Sequence, residues 1–230
     1  GGFFLLGISM KKKVVISWSS GKDSTLTLER LLESSEYEVV ALYTTYVGDE
    51  VPFQVTPIDV VAMQAQLVGL PLITIELPEV FPSNEIYQST IVTALKGSGL
   101  SIDAVAFGDM FCNGIADYRR SYIEPAGWEC VFPLMGESSQ ALASEIIDRG
   151  IETFLVTVDS DALDMSYCGK EYTLELIDSL PSHVDPCGED GEFHTLVTSA
   201  PCFKGKLKIE MENVEQGDRF VHQRYQACII

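Results

Sequence analysis

Apolar residues are distributed along this chain in two alternating patterns. Short apolar runs rich in β-branched residues have the length of buried strands, and they occupy residues 14–18, 39–45, 72–77 and 104–107. Longer segments between them carry apolar residues at helical spacing and predict helices over residues 23–33, 57–68 and 84–96. This β-α-β-α-β-α-β order predicts an α/β fold with a twisted parallel sheet, helices on both faces and right-handed crossovers.

The second of these helices has boundary signals at both ends. Thr56 is expected to be its N-cap and Pro57 its first helical residue, because these residue types favour those positions. The helix is expected to run to Val68, where Gly69 ends it.

The pattern becomes less regular after about residue 130. Helices are predicted over residues 138–149 and 171–179, and strands over residues 153–158 and 193–198. Residues 206–210 and 219–225 are expected to pair as a terminal hairpin.

The charge of the chain argues against a nucleic-acid partner. The 230 residues include 34 acidic and 15 basic side chains, which give a formal net charge of -19. Such a field repels phosphate backbones unless a local basic patch overcomes it, and the longest basic run is only Lys11 to Lys13. Nearly half of the residues are apolar, which is typical of a globular protein with a sizeable core.

The cysteines and the first residues of the chain bear on its cellular location. The six cysteines include no C-x-x-C pair, so we expect reduced cytoplasmic thiols and no zinc site. The apolar run at residues 3–8 precedes Lys11 to Lys13, which reverses the order of a signal peptide, and it is too short to span a membrane. We therefore expect a cytoplasmic protein without membrane contact, in which Met10 is the natural start and the nine preceding residues are an extension.

Residues 19–24, which we call the phosphate loop, lie between the first strand and the first helix and read Ser-Ser-Gly-Lys-Asp-Ser. The backbone N–H groups of such a loop and the helix N-terminus form an anion site. Gly21 permits close approach of the backbone, and Lys22 can reach phosphate oxygens. Asp23 would repel phosphate by itself, so we expect it to hold Mg²⁺, which bridges carboxylate and phosphate. Further hydroxyl donors come from Ser19, Ser20 and Ser24.

Two other nucleotide-binding patterns do not fit this loop. A Walker A loop reads G-x-x-x-x-G-K-S/T, but Ile16 occupies the first glycine position and Asp23 the Ser/Thr position. The dinucleotide pattern G-x-G-x-x-G is absent from the sequence.

Ligands of parallel sheets bind at the carboxyl ends of the strands. The residues at those ends that we expect to contact a cofactor are Ser17, Tyr43 and Gly108. Trp18 directly precedes the phosphate loop, and it either stacks on adenine or packs into the core as a sheet residue.

A second dense motif, residues 185–195, reads Asp-Pro-Cys-Gly-Glu-Asp-Gly-Glu-Phe-His-Thr, and we call it the acidic loop. Its 11 residues include four carboxylates, two glycines, one histidine and one cysteine. Glu189, Glu192 and His194 can present acid, base or amine-binding groups together, although their spacing matches no standard metal site. The alternative is a solvated acidic turn that leads into a strand.

The phosphate loop resembles the PP-loop of the ATP pyrophosphatase superfamily, usually S-G-G-x-D-S, which binds the pyrophosphate of ATP and yields AMP. The acidic loop is similar to the E-N/D-G-E-F-H-T signature of the diphthine–ammonia ligase-like ATP pyrophosphatases. Three more segments resemble that family, and the resemblance covers nearly the whole chain from Met10: residues 64–72, residues 104–110, and the stretch with Tyr118, Arg119, Arg120 and Glu124.

This resemblance implies a fold and a reaction. The fold is a PP-loop domain of the adenine nucleotide α-hydrolase (HUP) type at residues 10–130, followed by a smaller α+β substrate-binding domain at residues 131–230. In the eukaryotic and archaeal members, the carboxylate of diphthine on elongation factor 2 attacks the α-phosphate of ATP. Pyrophosphate leaves, and ammonia then displaces AMP to form an amide.

The resemblance also implies roles for individual residues. Catalytic roles fall to Lys22, Asp23, Asp109, Glu189, Glu192 and His194. Mg²⁺ would be held by Asp23 and Asp109, while ATP would contact the phosphate loop, Ser17, Tyr43 and Gly108. The acceptor would be bound by Arg119, Arg120, Glu124, Gly188, Glu189, Gly191 and Glu192.

The chain departs from the family pattern at several positions. Ser20 replaces the first glycine of the PP-loop, residues 48–53 lack the usual His-Gly pair, and Tyr122 stands where arginine is frequent. These traits resemble the bacterial branch, and bacteria lack diphthamide, so the acceptor of a bacterial protein would be a different carboxylate. The alternatives are therefore a PP-loop enzyme with a non-diphthine acceptor and a non-catalytic adenine-nucleotide-binding protein; a homodimer is expected in each case.

Overall fold

The computed structural model describes residues 10–230, so the expectation about the first nine residues lies outside the described part of the chain. Its strands are β1 (Lys12–Ser17), β2 (Tyr37–Tyr46), β3 (Glu50–Val51), β4 (Thr56–Pro57), β5 (Leu72–Glu76), β6 (Ala104–Ala106), β7 (Glu129–Val131), β8 (Glu152–Asp159), β9 (Phe193–Ser199), β10 (Leu207–Gln216) and β11 (Phe220–Ile229). Its α-helices are α1 (Lys22–Leu32), α2 (Ile58–Val68), α3 (Asn84–Gly97), α4 (Ile115–Ile123), α5 (Ser139–Asp148) and α6 (Leu174–Ser179).

The central strand β1 lies in a five-stranded parallel sheet with the order β5-β2-β1-β6-β7. Its successive side chains point to opposite faces of the sheet, as the pleat requires. Val14 and Ile16 pack into one core with Leu28 of α1, whereas Val15 packs into a second core with Ile91 of α3. Helices therefore cover both faces, which confirms the predicted α/β class.

The carboxyl-terminal part forms a separate antiparallel sheet with the order β10-β11-β8-β9, which includes the predicted terminal hairpin. Leu155 of β8 and Leu196 of β9 are fully buried in the same core as Leu26 of α1. The expected boundary near residue 130 falls within β7, which pairs with β6 in the parallel sheet. The second sheet thus packs against α1 and against the phosphate loop at the carboxyl end of β1.

An ion-pair network connects α1 to the segment around α5. Arg30 of α1 binds the carboxylates of Glu137 and Glu145, and Arg149 binds Glu145 at 2.8 Å and Glu33 at 2.7 Å. The Arg30 guanidinium also donates to the Pro133 carbonyl at 2.8 Å. Because the charges are shared among several partners, this network orients the two parts of the chain more firmly than isolated surface pairs would.

Two predicted helix starts are wrong. Thr56 and Pro57 form β4, which pairs with β3, and α2 begins at Ile58 without a side-chain cap. The helix predicted from Glu171 begins only at Leu174, with Thr173 as its N-cap, because Glu171 forms a bridge with Phe154. In both cases a tertiary pairing holds the chain extended where local preference favoured a helix.

The prediction also missed β3, α4 and β7. Strand β7 has only three residues, too few for a periodic signal. Within residues 10–230, no helix combines the length and the apolar character that crossing a membrane requires.

Candidate active site

The phosphate loop lies at the carboxyl end of β1, where it contacts the acidic loop and β9. Between them is a cavity of about 240 Å³, which we call the phosphate cavity. Three segments line it: the phosphate loop, the acidic loop with the start of β9, and residues 50–57, the β3–β4 hairpin, which we call the strap. Two neighbouring cavities share wall residues with it, and we name them for the groups that they are expected to hold. The nucleoside cavity of about 270 Å³ lies along the ends of β1 and β2, and the acceptor cavity of about 410 Å³ lies beside α4.

Ser20 gives the phosphate loop an unusual backbone. Its φ of 72° lies in the left-handed region, which costs a residue with a Cβ about 1–2 kcal/mol. Serine in place of the first glycine of the PP-loop is a mild departure only where φ is negative, and that condition is not met here. The strain is held by hydrogen bonds: the Ser20 carbonyl accepts from the Val197 N–H at 3.1 Å and from Gln64 Nε2 at 3.0 Å, and its hydroxyl donates to Thr56 at 2.9 Å.

Gly21 allows two other segments to approach the phosphate loop. A Cβ there would lie 2.8 Å from Gln54 Nε2 of the strap and 3.1 Å from the Thr195 carbonyl of β9. The next N–H, that of Lys22, donates to Thr195 Oγ1 at 3.1 Å. The glycine therefore serves close packing between the loop and the carboxyl-terminal sheet.

The strap also has a constrained backbone, because Phe53 and Val55 have φ values of 67° and 53°. Gln54 between them donates through Nε2 to the Thr195 carbonyl at 3.1 Å, and its own carbonyl accepts from the Thr157 hydroxyl at 3.3 Å. These contacts fix the strap against the carboxyl-terminal sheet and make it a shared wall of the phosphate and nucleoside cavities.

Lys22 brings a buried positive charge to the phosphate cavity. Its side chain is 3% exposed, and its Nζ donates to Asp23 at 2.9 Å and to the carbonyl of Cys187 in the acidic loop. Burial opposes the charge, but the Asp23 carboxylate and other acidic neighbours such as Glu189 together raise the pKa of Lys22, so the ammonium form persists. Among residues 10–230, these two bonds leave one of its three N–H donors without a hydrogen-bond acceptor.

Carboxylates surround this ammonium group. Burial raises the pKa of Asp23 against the attraction of Lys22, and the nearby Asp185 and Asp109 raise it further. Glu189 lines both the phosphate and the acceptor cavities, and its Oε1 accepts from the Met110 N–H at 3.1 Å. Burial and the Asp23 charge raise the pKa of Glu189 to about 7.

The raised pKa of Glu189 predicts a specific pH dependence of stability. Between about pH 4.5 and 7, the folded protein holds a proton that the unfolded chain has lost, so stability falls as pH rises and levels off above pH 7. Urea unfolding of Glu189→Gln in metal-free buffer should lack this slope, so the variant gains stability relative to the wild type from pH 5 to pH 8. Asp190→Asn, at an exposed neighbour in the same loop, is the control and should follow the wild type. A Glu189→Gln curve parallel to the wild type would contradict the assignment.

His194 lies on the wall of the phosphate cavity. Burial, Lys22 and His222 lower its pKa to about 4, so the imidazole is neutral at neutral pH and can accept a proton. Its ring centroid is 6.4 Å from that of Phe53 in the strap.

The two candidate arginines occupy different environments. Arg119 pairs with Asp109 at 3.1 Å, stacks on the Phe107 ring at 4.6 Å and lines the nucleoside cavity. Arg120 pairs with Asp117 and with Glu124 along α4, at 3.6 Å and 3.7 Å, and is half exposed. Arg120 and Glu124 therefore lie outside the three cavities.

Within the acidic loop, Glu192 and the glycines have structural contacts. Glu192 is 5% exposed, and its Oε1 accepts from the Asp185 N–H at 2.9 Å, while Oε2 has no hydrogen-bond partner among residues 10–230. Gly188 has a φ of 67°, and a Cβ there would lie 2.8 Å from the Phe193 carbonyl. Gly191, with a φ of 87°, forms a turn where a side chain would meet open space.

The remaining candidates divide between cavity walls and packing positions. Ser17 and Ser19 line the nucleoside cavity, whereas Ser24 donates to the Gly21 carbonyl at 3.1 Å. Tyr43 is 1% exposed and packs in the core. A Cβ at Gly108 would lie 3.2 Å from the Asp23 backbone, so this glycine lets the segment after β6 approach α1 closely.

Trp18 packs into the core, as one of its two interpretations predicts. It is 1% exposed, and its Nε1 donates to Gln64 Oε1 at 2.9 Å. Gln64 is fully buried and also donates to the carbonyls of Ser20 and Val197. Gln64 belongs to a segment that resembles the family, but no local signal in the sequence indicated that it supports the phosphate loop.

Comparisons with known proteins agree with this geometry. The chain matches the diphthamide synthase N-terminal domain over residues 12–129 and the diphthamide synthase C-terminal domain over residues 138–228. It is 24% identical over 247 residues to a diphthine–ammonia ligase from Schizosaccharomyces pombe, which covers 94% of this chain and 39% of that protein. The chain thus spans about two fifths of the length of this curated relative.

Two solved structures are also similar to the chain. One is a predicted subunit of tRNA methyltransferase from Methanocaldococcus jannaschii, at 17% identity and a TM-score of 0.41, covering 64% of this chain and 78% of that one. The other is the U34-tRNA thiolase NcsA from Methanococcus maripaludis with its 4Fe-4S cluster, at 15% identity and a TM-score of 0.41, covering 61% and 58%. Because the two domain matches together cover most of the chain, it belongs to the diphthamide synthase family of PP-loop ATP pyrophosphatases.

Proposed function

We propose that this chain is an ATP-dependent, AMP-forming amide ligase that adenylates a carboxylate and transfers the acyl group to ammonia. The observation that supports this most directly is the phosphate cavity. There, the Lys22 ammonium of the phosphate loop faces Glu189 and His194 of the acidic loop across a volume of about 240 Å³. The candidate nucleotide-binding and proton-transfer groups thus line one cavity.

ATP would lie across two of the cavities. The nucleoside cavity, beside Ser17 and Arg119, would hold the adenosine. The phosphates would extend over the phosphate loop, where the N-terminus of α1 and the ammonium group of Lys22 attract negative charge. Attack of the carboxylate oxygen on the α-phosphorus releases pyrophosphate, and Lys22 would stabilise the charge that develops on it.

Mg²⁺ would be held by Asp23 and Asp109. No group of three or more His, Cys, Asp or Glu side chains within residues 10–230 forms a closed metal site. The two carboxylates nevertheless fit Mg²⁺, which binds through one or two carboxylates together with water and substrate phosphates. Their mutual repulsion, with Asp109 raising the pKa of Asp23, would be relieved by a cation. The ion would neutralise phosphate charge when it is bound.

The acceptor cavity would receive the carboxylate substrate and ammonia. Asp109, Glu189 and Tyr118 line it, and Glu189 joins it to the phosphate cavity. Ammonium must lose a proton before its nitrogen can attack the acyl-adenylate. The neutral imidazole of His194 and the carboxylate of Glu189 are the bases at hand, with pKa values of about 4 and about 7. Amide formation then releases AMP.

The acceptor is proposed to be diphthine on elongation factor 2 if the source is archaeal or eukaryotic, and another carboxylate if it is bacterial. The name of the Schizosaccharomyces pombe relative supports the first choice. We further propose that the protein acts in the cytoplasm as a homodimer and does not bind nucleic acid, as its net charge of -19 suggests.

Product analysis tests the proposed function. The chain is incubated with ATP, Mg²⁺ and ammonium, with diphthine-containing elongation factor 2 or a panel of small carboxylates, and AMP and pyrophosphate are quantified. Stoichiometric release of both products, dependent on one acceptor, is expected. ATP binding without turnover on any acceptor would favour a nucleotide sensor, and formation of ADP would refute the cleavage site.

A further inference from the structure

The Lys22 ammonium group lies beside two aromatic rings of the carboxyl-terminal part. Its Nζ is 5.7 Å from the ring centroid of Tyr172 and 5.5 Å from that of Phe193. The centroids of the two rings lie 6.0 Å apart and their planes are tilted by 43°. The rings therefore form an open wedge on one side of the cation, which we call the aromatic wedge. At such distances the ring faces attract an ammonium group, and more strongly where water is excluded.

Tyr172 itself is firmly held. It is 3% exposed, its hydroxyl donates to the Pro186 carbonyl at 2.5 Å, and its N–H donates to the Thr153 carbonyl at 2.8 Å. Pro186 directly precedes Cys187, whose carbonyl accepts from Lys22. Tyr172 therefore touches the lysine through its ring and the lysine's acceptor segment through its hydroxyl.

Tyr172 does not line the phosphate cavity, so it has no place in the proposed chemistry. Its hydroxyl is committed to a carbonyl, and burial raises the pKa of Tyr172 far above its usual range. It is therefore no acid or base at neutral pH. Its contacts are with groups that themselves face the cavity.

The hydrogen bonds of Lys22 show what this arrangement achieves. Asp23 and the Cys187 carbonyl accept hydrogen bonds from two of the three ammonium N–H groups. The rings of Tyr172 and Phe193 lie on another side of the ammonium group. The third N–H has no acceptor among residues 10–230, and Lys22 lines the phosphate cavity. A lysine side chain has several rotatable bonds, so a fixed direction for this donor requires contacts around the ammonium group.

We propose that Tyr172 is a positioning residue. Together with Phe193, it holds the Lys22 ammonium group in place to donate a hydrogen bond to the phosphates of the nucleotide. The part of this inference that concerns phosphate rests on the proposed function. The placement of Lys22 by the two rings stands on the contacts alone.

Three variants of the full chain test the inference. Tyr172→Phe keeps the ring and removes the hydroxyl, Tyr172→Met fills similar space without a ring, and Phe193→Leu removes the other ring. Competitive acetylation followed by mass spectrometry reports the reactivity of Lys22 without any nucleotide. We expect Lys22 labelling to rise at least threefold in Tyr172→Met and Phe193→Leu, relative to exposed Lys170, and to stay within twofold of the wild type in Tyr172→Phe.

Pyrophosphate release supplies the second readout. Tyr172→Met should lower kcat about tenfold while KM for ATP changes less than threefold, and Tyr172→Phe should retain most of the wild-type kcat. Unchanged Lys22 labelling in both ring-deleting variants would overturn the inference, as would an equal loss of kcat in Tyr172→Phe and Tyr172→Met. If Tyr172→Met does not fold, Phe193→Leu and Tyr172→Phe give the same comparison. Failure of the proposed function would appear differently, as a wild-type protein that releases no pyrophosphate while the labelling pattern persists.

Discussion

Replacing Lys22 with methionine should lower ATP-dependent pyrophosphate release by about 10²–10³-fold, the usual cost of losing one donor that stabilises transition-state charge. Methionine fills much of the space that the lysine side chain occupies beside the rings of Tyr172 and Phe193, so the surrounding packing should be preserved. The measurement is steady-state release of AMP and pyrophosphate at saturating ATP, with kcat and KM separated.

The matched control is Lys170→Met, which removes an exposed ammonium that lies 4.8 Å from the Tyr167 ring centroid. It should leave kcat within twofold of the wild type. If Lys22→Met raises KM for ATP without lowering kcat, Lys22 contributes only to ground-state binding, and its proposed role with the departing pyrophosphate is wrong.

Gln64→Leu should destabilise the protein by about 3 kcal/mol and weaken nucleotide binding at the same time. The substitution leaves the buried Trp18 Nε1–H without its acceptor and removes one donor each from the carbonyls of Ser20 and Val197. Each abandoned buried group costs about 1–3 kcal/mol. The loss should also release Ser20 from its left-handed conformation, because the amide is one of the contacts that hold it.

Urea unfolding and ATP titration measure these two effects. The control is Gln66→Leu, two residues along α2 on its exposed face, which should change stability by less than about 0.5 kcal/mol. A Gln64→Leu protein with normal ATP affinity would show that the phosphate loop keeps its shape without the amide. The prediction that Gln64 of α2 supports nucleotide binding would then be wrong.

Regular elements of the parallel sheet could be predicted because their signals are local. The run from Val14 to Trp18 is apolar at every position but Ser17, as expected for a strand buried on both faces, and it is followed at once by small polar residues and a helical pattern. Gly69 ends α2 as expected, since its φ of 77° is one that glycine adopts readily.

The strap could not be predicted, because its conformation opposes local preference. Pro57 after Thr56 is a common helix start, yet both residues are extended and paired with Glu50 and Val51. Phe53 and Val55 occupy a backbone region that bulky and β-branched residues avoid. The Val55 N–H donates to the Val51 carbonyl at 2.9 Å within the strap. Gln54 adds contacts with Thr157 and Thr195, which lie more than 100 positions away, and such distant contacts cannot be foreseen from local preference.

The candidate site likewise combines residues that local motifs predict with residues that only tertiary contacts bring together. Its motifs named Lys22, Glu189 and His194, because phosphate binding and proton transfer need few residue types and those types stand close together in the sequence. Whether Arg119 or Arg120 lines the site depended on which side of α4 packs toward Phe107 and Asp109. One of the aromatic rings beside Lys22 comes from Tyr172, outside both motifs.

The sequence by itself determined that this protein has an α/β PP-loop fold with a phosphate loop at residues 19–24, since strand, loop and helix signals follow one another within the reach of local interactions. Only the tertiary structure decided how that loop is shaped. Ser20 is held in a strained conformation by Val197 and Gln64, and Lys22 is directed by side chains some 150 residues further along the chain. Burial at the junction of the two sheets supplies these contacts, and such burial depends on how distant segments pack against each other.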